Sequence, residues 1–231
     1  MYKLNVNTNG NRKLQNNANI RFMIWNLPAV KTCPYATEHC KKSCYARKAE
    51  RVYPQVLPSR EQNLYESQQI DFVENMIYTI EKELNTKKYK DKLCVFRIHE
   101  SGDFYNLEYT RKWIKICKHF ENDNRIVFLA YTKSLPFFIG SGYGKTCLPK
   151  NPENDFPTNL VVRSSLWDDT RHDMRQLTSV YNFPIYTALS AEDMEKEKAN
   201  GNEFTKCDCI NCSTCGNCWN KEHANIIVKI H

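Results

Sequence analysis

Residues 92–104 read KLCVFRIHESGDF, and they set the pattern that predicts the fold. The first half is an apolar run of β-branched and aromatic residues, with the length of a strand that is buried on both faces. The second half, HESGDF, is the densest polar patch at the end of a predicted strand. The next segment, NLEYTRKWIKICKHF (106–120), is predicted to be an amphipathic helix. Strand, polar turn and helix together make one β/α unit.

The alternation of apolar runs and helical patterns continues along the chain. The apolar runs that we predict to be strands cover 19–25, 92–100, 125–132, 159–167, 183–189 and 225–230. The segments that we predict to be helical cover 37–51, 59–69, 71–84, 106–120, 172–181 and 191–200. Strands separated by helices are typical of a parallel sheet. Because no Gly-rich dinucleotide turn follows the first strand, the pattern favours an α/β fold with an incomplete (β/α)6-type parallel barrel, with a doubly wound sheet as the alternative.

The bulk composition indicates the class of protein. The chain has 231 residues, 41% hydrophobic and 26% charged, which is enough for one core with a small appendage. We predict a partial barrel over 1–200, and a cysteine-rich metal-binding segment with the last strand over 201–231. No apolar run reaches the roughly 18 residues of a membrane-spanning helix, and the polar N-terminus does not match a signal peptide, so we expect no membrane association and a cytoplasmic protein. The net charge of +7 fits a solvated surface or contact with nucleic acid.

The first group of cysteines lies in KCDCINCSTCGNCW (206–219). In a reducing compartment, clustered cysteines more often bind metal than form disulfides. Four of them recur every third residue, as in the C-x2-C-x2-C run of bacterial ferredoxins. We therefore predict an iron–sulfur cluster on Cys209, Cys212, Cys215 and Cys218, with Cys207 as the spare thiol. Zinc and unligated thiols are the alternatives.

The second group lies in CPYATEHCKKSCYA (33–46), directly after the first predicted strand. Three thiolates, Cys33, Cys40 and Cys44, leave one iron of a [4Fe-4S] cluster without a protein ligand, like the open position of a catalytic zinc. The alternatives are structural zinc with His39 as the fourth ligand, and simple packing of two thiols one helical turn apart. The isolated cysteines, which we predict to pack in the core, are Cys94, Cys117 and Cys147.

Three motifs and the C-terminal cysteines carry a family resemblance. The motifs are CPYATEHCKKSCYARKAER (33–51), RIHESGDF (97–104) and FLAYTKS (128–134). Over most of its length the chain resembles the phage gene product 88 family. The cysteine loop after the first strand and the SGD turn after the second are also similar to radical S-adenosylmethionine (SAM) enzymes, although the C-x6-C-x3-C spacing is longer than their usual C-x3-C-x2-C.

The radical-SAM resemblance implies an incomplete (β/α)6 barrel and specific roles for the motifs. Cys33, Cys40 and Cys44 would hold the [4Fe-4S] cluster, and its open iron would bind SAM. The turn that would meet the SAM amino group consists of Ser101, Gly102 and Asp103. The C-terminal cysteines would hold a second, auxiliary cluster.

Polar residues at the predicted strand ends are the remaining site candidates, because sites in parallel α/β folds gather there. We predict catalytic roles for His99, Glu100 and Asp103, with a helix cap as the alternative for Asp103. The side chains that we predict to meet an anionic ligand in the barrel mouth are Lys133, Arg163 and Ser164, with surface exposure as the alternative. An inward-pointing Arg97 would need a carboxylate partner, for which Glu100 and Asp168 are candidates.

Taken together, these features predict an iron–sulfur enzyme of radical-SAM-like type that requires an external electron donor. Its substrate is not readable from the residues, and nucleic acid is one candidate. If the chain is phage-encoded, we expect it in the cytoplasm of the bacterial host. Two alternatives remain open: a zinc-stabilised module that binds nucleic acid, and an iron–sulfur redox or sensor protein that does not use SAM.

Overall fold

A computed structural model describes residues 1–8, 14–143, 156–199, 204–207, 211–219 and 225–229. The strands are β1 (Ile20–Trp25), β2 (Leu93–Ile98), β3 (Ile126–Thr132), β4 (Leu160–Leu166), β5 (Ile185–Leu189), β6 (Phe204–Lys206) and β7 (Asn225–Lys229). The helices before β3 are α1 (Glu38–Lys42), α2 (Tyr45–Val52), α3 (Val56–Gln68), α4 (Phe72–Leu84) and α5 (Leu107–His119). The later helices are α6 (Leu135–Ile139), α7 (His172–Val180), α8 (Ala191–Ala199) and α9 (Cys212–Cys215).

The seven strands form one sheet in the order β1-β2-β3-β4-β5-β7-β6. Every neighbouring pair is parallel, so the predicted α/β class and parallel sheet are confirmed. All six predicted strands are present, and the three-residue β6 is an additional strand. Within the described residues the sheet does not close, because the outer edge of β1 meets only a single antiparallel bridge between Asn7 and Ile24.

One face of the sheet is covered by helices. Side chains recurring every four residues along α4, from Phe72 through Met76 to Ile80, are fully buried against this face. They pack with Trp25 of β1 and Phe96 of β2 in one large apolar cluster. Burial of each such side chain contributes about 1.5–3 kcal/mol, so this helical layer supplies most of the apolar stabilisation of the sheet.

The opposite face of the sheet is covered by the C-terminal cysteine segment. The strand residues of this face include Phe22 and Val95, and Cys212, Cys218 and Trp219 pack against them. The ring of Trp219 meets that of Phe22 edge-on at 5.9 Å. This segment is therefore part of a core and not a separate appendage to the sheet.

A buried arginine holds the cysteine segment in place. Arg163 of β4 has no exposed surface, and its Nε donates to the carbonyl oxygen of Cys218 at 2.7 Å. Its Nη2 donates to the carbonyl oxygen of Asn217 at 3.1 Å. Hydrogen bonds from a charged donor contribute about 1.5–3 kcal/mol each.

Replacement of Arg163 by Met should release residues 211–219 from the sheet, since two carbonyl groups lose a charged donor. We expect amide hydrogen exchange in 211–219 to rise by about two orders of magnitude, in line with the loss of roughly 3 kcal/mol. Replacement of Arg175 by Met is the control, because that exposed side chain also donates to backbone carbonyls. Equal exchange in both variants would contradict the anchoring role of Arg163.

Candidate functional site

A cavity of about 520 Å³ opens at the carboxyl ends of the strands. Its walls come from the loop after β1, the turns after β2 and β3, and the last residues of β4 and β5. Cys33, Cys40 and Cys44 all line it, together with Arg97 and Lys133. This is the edge at which parallel sheets place their ligands.

Asn26, which follows β1, ties the start of the cysteine loop to the turn after β2. The side-chain oxygen of Asn26 accepts hydrogen bonds from the backbone N–H groups of Glu100 and Ser101, at 2.8 and 2.9 Å. The helix predicted over 37–51 divides into α1 and α2, with Ser43 and Cys44 between them. This break turns the chain so that all three cysteines face the same cavity.

Two of these thiols are poor acids in the metal-free protein. Burial, followed by the Asp103 carboxylate, raises the pKa of Cys33 to about 12. Burial also raises the pKa of Cys40, and the Lys133 ammonium opposes that shift. Because a metal ligand must be a thiolate, a bound cation would have to displace the proton of Cys33.

The spacing of the sulfur atoms discriminates between metals. A tetrahedral zinc with Zn–S bonds of about 2.3 Å holds its sulfurs about 3.8 Å apart. Among the described residues, only His39, Asp168 and Asp169 bring three ligand atoms within 4.8 Å of one another. Cys33, Cys40 and Cys44 therefore do not form such a close group in this structure.

His39, the predicted alternative zinc ligand, is directed away from the cysteines. Its Nδ1 lies 2.8 Å from Oδ1 of Asp168, and its backbone N–H donates to Asp169 at 2.8 Å. Its ring meets that of Trp167 at 5.1 Å. These contacts tie α1 to the loop after β4, so Asp168 is not the partner of Arg97.

The SGD turn presses directly on the cysteine loop. Gly102 has φ +82°, and a Cβ there would lie 2.6 Å from both Leu27 Cβ and Thr32 Oγ1. The Ser101 hydroxyl donates to the carbonyl oxygen of Leu27 at 2.9 Å. Thr32 precedes Cys33, so the turn fixes the backbone immediately before the first cysteine.

Asp103 joins the ends of β2 and β3. Its carboxylate accepts from the Thr132 hydroxyl at 2.6 Å and from the backbone N–H of Lys133 at 3.0 Å. Burial nevertheless raises its pKa above the ordinary value. The alternative of a helix cap is wrong, because Asn106 caps α5 by accepting from the backbone N–H of Tyr109 at 2.8 Å.

His99 lines the cavity with a left-handed backbone, at φ 65°, and its imidazole packs against Tyr109 of the helical layer. Its Nε2 lies 2.9 Å from the hydroxyl of Tyr109, which also accepts from Trp25 Nε1 at 3.1 Å. The Nδ1 of His99 is buried without a hydrogen-bond partner among the described residues. Burial, followed by the Arg97 charge, lowers the pKa of His99 to about 3.

The other predicted ligand-binding side chains point to different neighbours. Lys133 reaches the cavity, where its Nζ donates to the Ser165 hydroxyl at 2.9 Å. Arg163 holds the cysteine segment, and the Ser164 hydroxyl lies 2.8 Å from that of Thr178 in α7. Glu100 lines the cavity, and its carbonyl oxygen accepts from the Tyr45 hydroxyl at 2.5 Å.

Arg97 and Tyr131 are cavity residues that the sequence predictions did not assign to the site. The guanidinium of Arg97 lies 4.8 Å from the ring centre of Tyr131, and its Nε is buried without a hydrogen-bond partner in the described part of the chain. Tyr131 also meets Tyr186 at 4.6 Å. The alternation along β2 from Val95 to Arg97 was the available signal that Arg97 faces inward.

The late cysteines form a second group on the same face of the sheet. Burial, then the neighbouring Cys218 and Cys207 thiols, raises the pKa of Cys212 to about 11. Cys207 is thus a close neighbour of two predicted ligands, although its assignment as the spare thiol stays a prediction. Burial raises the pKa of Cys218, whose thiol shares a hydrogen bond with Tyr131.

Cys209 and Cys147 lie outside the described residues, whereas Cys94 and Cys117 are buried in the core as predicted.

Comparison with known proteins identifies relatives but no solved structure. A family model described as Gene product 88 matches residues 3–221. The "Gene 88 protein" of Mycobacterium phage D29 is 31% identical over 105 residues, which cover 44% of this chain and 42% of that protein. The chain thus aligns with less than half of that relative. No solved structure matches, and no described helix has the length and apolar character needed to cross a membrane.

Replacement of Gly102 by Ala should lower the free energy of unfolding by about 2–5 kcal/mol, because a left-handed alanine is strained and its Cβ overlaps Leu27 and Thr32. Urea denaturation of the metal-free protein measures this loss. Gly140→Ala is the matched control, since its φ is ordinary and its nearest neighbour is 3.2 Å away. A loss no larger than that of the control would show that the turn does not press on the loop.

The pKa of His99 makes stability dependent on pH. Below its unfolded value near 6.5 the unfolded chain binds a proton that the folded protein, with a pKa of about 3, rejects. The contribution of His99 is therefore complete above about pH 6.5 and falls by up to about 1.4 kcal/mol per pH unit on acidification. We expect His99→Gln, whose amide can still hydrogen-bond to Tyr109, to flatten this dependence in urea titrations. His119→Gln, an exposed histidine on α5, should not flatten it, and the same effect in both variants would refute the assignment.

Proposed function

We propose a function for this chain, which belongs to the gene product 88 family, from its own geometry: it is an iron–sulfur enzyme of radical-SAM-like type. The observation that carries the proposal is the convergence of Cys33, Cys40 and Cys44 on one cavity at the carboxyl ends of parallel strands. Three cysteines leave one iron of a [4Fe-4S] cluster open to a ligand. In this proposal the open sheet is the wall of an incomplete (β/α)6 barrel.

The residues around the cavity fit an anionic cluster. Burial of a charged group is costly unless acceptors satisfy it, and the Nε of Arg97 is buried without a hydrogen-bond partner among the described residues. A cluster held by thiolates would add negative charge to that which Glu100 supplies to the same guanidinium. Lys133, which opposes the raised pKa of Cys40, adds a second cation on the same side.

The cavity residues have distinct roles in this proposal. The bound cluster would supply one electron for the reductive cleavage of SAM, and an external donor would replace it. Lys133 would pair with an acid group of the ligand, and Glu100 would face its amine. Asp103 has its oxygens occupied by Thr132, Phe104 and Lys133, so it positions the SGD turn.

The C-terminal cysteines would hold the auxiliary cluster. We retain Cys209, Cys212, Cys215 and Cys218 as its ligands, and Cys207 is an additional candidate because it lies beside Cys212. Tyr131 lines the first cavity and also shares a hydrogen bond with Cys218, so it separates the two groups. Free thiols and clusters persist in reducing compartments, which supports placement in the cytoplasm of the phage host.

An iron–sulfur redox or sensor protein without SAM is the second candidate. The position of Tyr131 between the two cysteine groups favours it, since electron exchange alone would use the same arrangement. The zinc-stabilised module that binds nucleic acid is the third candidate, and among the described residues no group of three cysteine sulfurs lies within 4.8 Å.

Anaerobic purification with iron, sulfide and zinc analysis tests the proposal. We expect the visible absorption of iron–sulfur clusters and the reductive cleavage of SAM. Cys40→Ser should remove about half of the iron and abolish SAM cleavage, because one of the two clusters loses a ligand. Cys218→Ser should remove the other half and change the electron paramagnetic resonance spectrum accordingly.

Cys94→Ala is the matched control, since this buried thiol of β2 lies in the helical layer and should leave both clusters intact. A colourless protein with stoichiometric zinc would contradict the proposal. Iron without SAM cleavage would support the redox or sensor function. Loss of all iron in both serine variants would show that the ligands are divided differently.

A further inference from the structure

Helix α2 (Tyr45–Val52) exposes a basic stripe beside the cavity. Its residues Arg47, Lys48 and Arg51 are exposed, and at 100° per residue they span an arc of about 100°. Tyr45, 61% exposed, begins the helix, and Tyr53, 54% exposed, follows it. We call these five residues the α2 surface.

The orientation of the α2 surface is fixed by the buried side of the helix. Ala46 is buried, and Glu50 forms a shielded ion pair with Arg60 at 2.8 Å. Glu50 also accepts from the backbone N–H of Ala29 at 2.8 Å. Because these contacts prevent rotation of the helix, the basic stripe faces solvent as a stable feature.

The ion pairs of the described residues do not use the cations of the stripe. In the part of the chain that the structure describes, neither Arg47, Lys48 nor Arg51 forms an ion pair. The nearby carboxylates are engaged elsewhere, since Glu38 pairs with Lys41 and Glu50 with Arg60. Unpaired cations on one helix face create a local positive potential that attracts an anionic partner.

Exposed aromatic rings next to cations favour one kind of anionic partner. Single-stranded nucleic acids are bound by cations that contact phosphates and by aromatic side chains on which unpaired bases stack. Duplexes keep their bases stacked internally, and the carboxylates of an acidic peptide offer no planar ring that could stack on the tyrosines. Tyr45 and Tyr53 therefore indicate unpaired bases.

The α2 surface continues into the cavity. Tyr45 lines the cavity, directly follows Cys44, and donates its hydroxyl to the Glu100 carbonyl at 2.5 Å. We propose that the α2 surface binds single-stranded nucleic acid and brings one nucleotide to the mouth of the cysteine-lined cavity. Binding stands on α2 alone, and only the use of the presented nucleotide as substrate rests on the proposed enzymatic function.

Fluorescence anisotropy with one labelled sequence, as single-stranded DNA, single-stranded RNA and DNA duplex, tests the proposal over a range of salt concentrations. We expect a single strand to bind more tightly than the duplex, and the better of the two single strands identifies the natural ligand. The triple variant R47A/K48A/R51A should raise Kd at least about tenfold and reduce the salt slope by about 2, at roughly 0.7 per phosphate contact. Tyr53→Ala should raise Kd about tenfold with the slope unchanged, because stacking is not ionic.

The matched control is K82A/K87A/K90A, which removes the same charge from exposed lysines at α4 and the loop after it. Equal weakening by both triple variants would overturn the proposal, as would equal or tighter binding of duplex or of poly-glutamate. Failure of wild-type protein to bind either single strand at low salt would also overturn it. A protein that contains iron but does not bind nucleic acid would contradict the binding proposal and leave the proposed enzyme intact. A protein that binds nucleic acid but contains no iron would support the binding proposal and contradict the proposed enzyme.

Discussion

The site depends on one close contact, between the turn after β2 and the loop after β1. Gly102 lies so near Leu27 and Thr32 that no side chain fits between the two segments. Asn26 reinforces the contact by accepting two backbone N–H groups from the same turn. Three elements separated by many residues are thereby fixed at one sheet edge: the cysteine loop, the SGD turn, and through Asp103 the end of β3. These contacts hold the loops around the cavity as firmly as residues of a packed core. A preorganised metal site requires such rigidity.

Two arginines lie on the sheet face opposite the helical layer. Arg163 marks the part that the cysteine segment covers, and Arg97 marks the part that opens into the cavity. Both interrupt a surface that would otherwise be apolar, and burying each cation is costly unless it finds acceptors. Arg163 finds them in the carbonyl groups of the cysteine segment, so its half of the face is closed by protein. Arg97 leaves its Nε without a described partner and stacks on Tyr131 at the cavity floor. The same residue type therefore anchors protein in one half and lines the open cavity in the other.

The periodicity of the sequence predicted the sheet better than the site. Long apolar runs gave correct strands because burial on both faces requires them, whereas β6 has only three residues and no such pattern. The three-cysteine loop was predictable from its place after β1. The packing of the His99 imidazole on Tyr109 was not, since its left-handed backbone interrupts the alternation of the strand. Nor did strand position reveal that Arg163 binds carbonyl groups contributed by residues more than fifty positions later, because that pairing exists only in the tertiary structure.

The separation of the two cysteine groups along the chain hides how close they are in space. Cys44 and Cys207 belong to different ends of the sequence, yet each group borders Tyr131, one through the cavity and the other through the Cys218 thiol. Arg97 carries a charge that acts on Cys212 and Cys218 while it lines the first cavity. Because the two groups share these neighbours in a region of low dielectric, a change of one charge at either group shifts the electrostatic energy of the other. If both groups hold clusters, as proposed, each cluster would therefore differ in reduction potential from the same cluster held singly, and the Arg97 charge lies close to both groups.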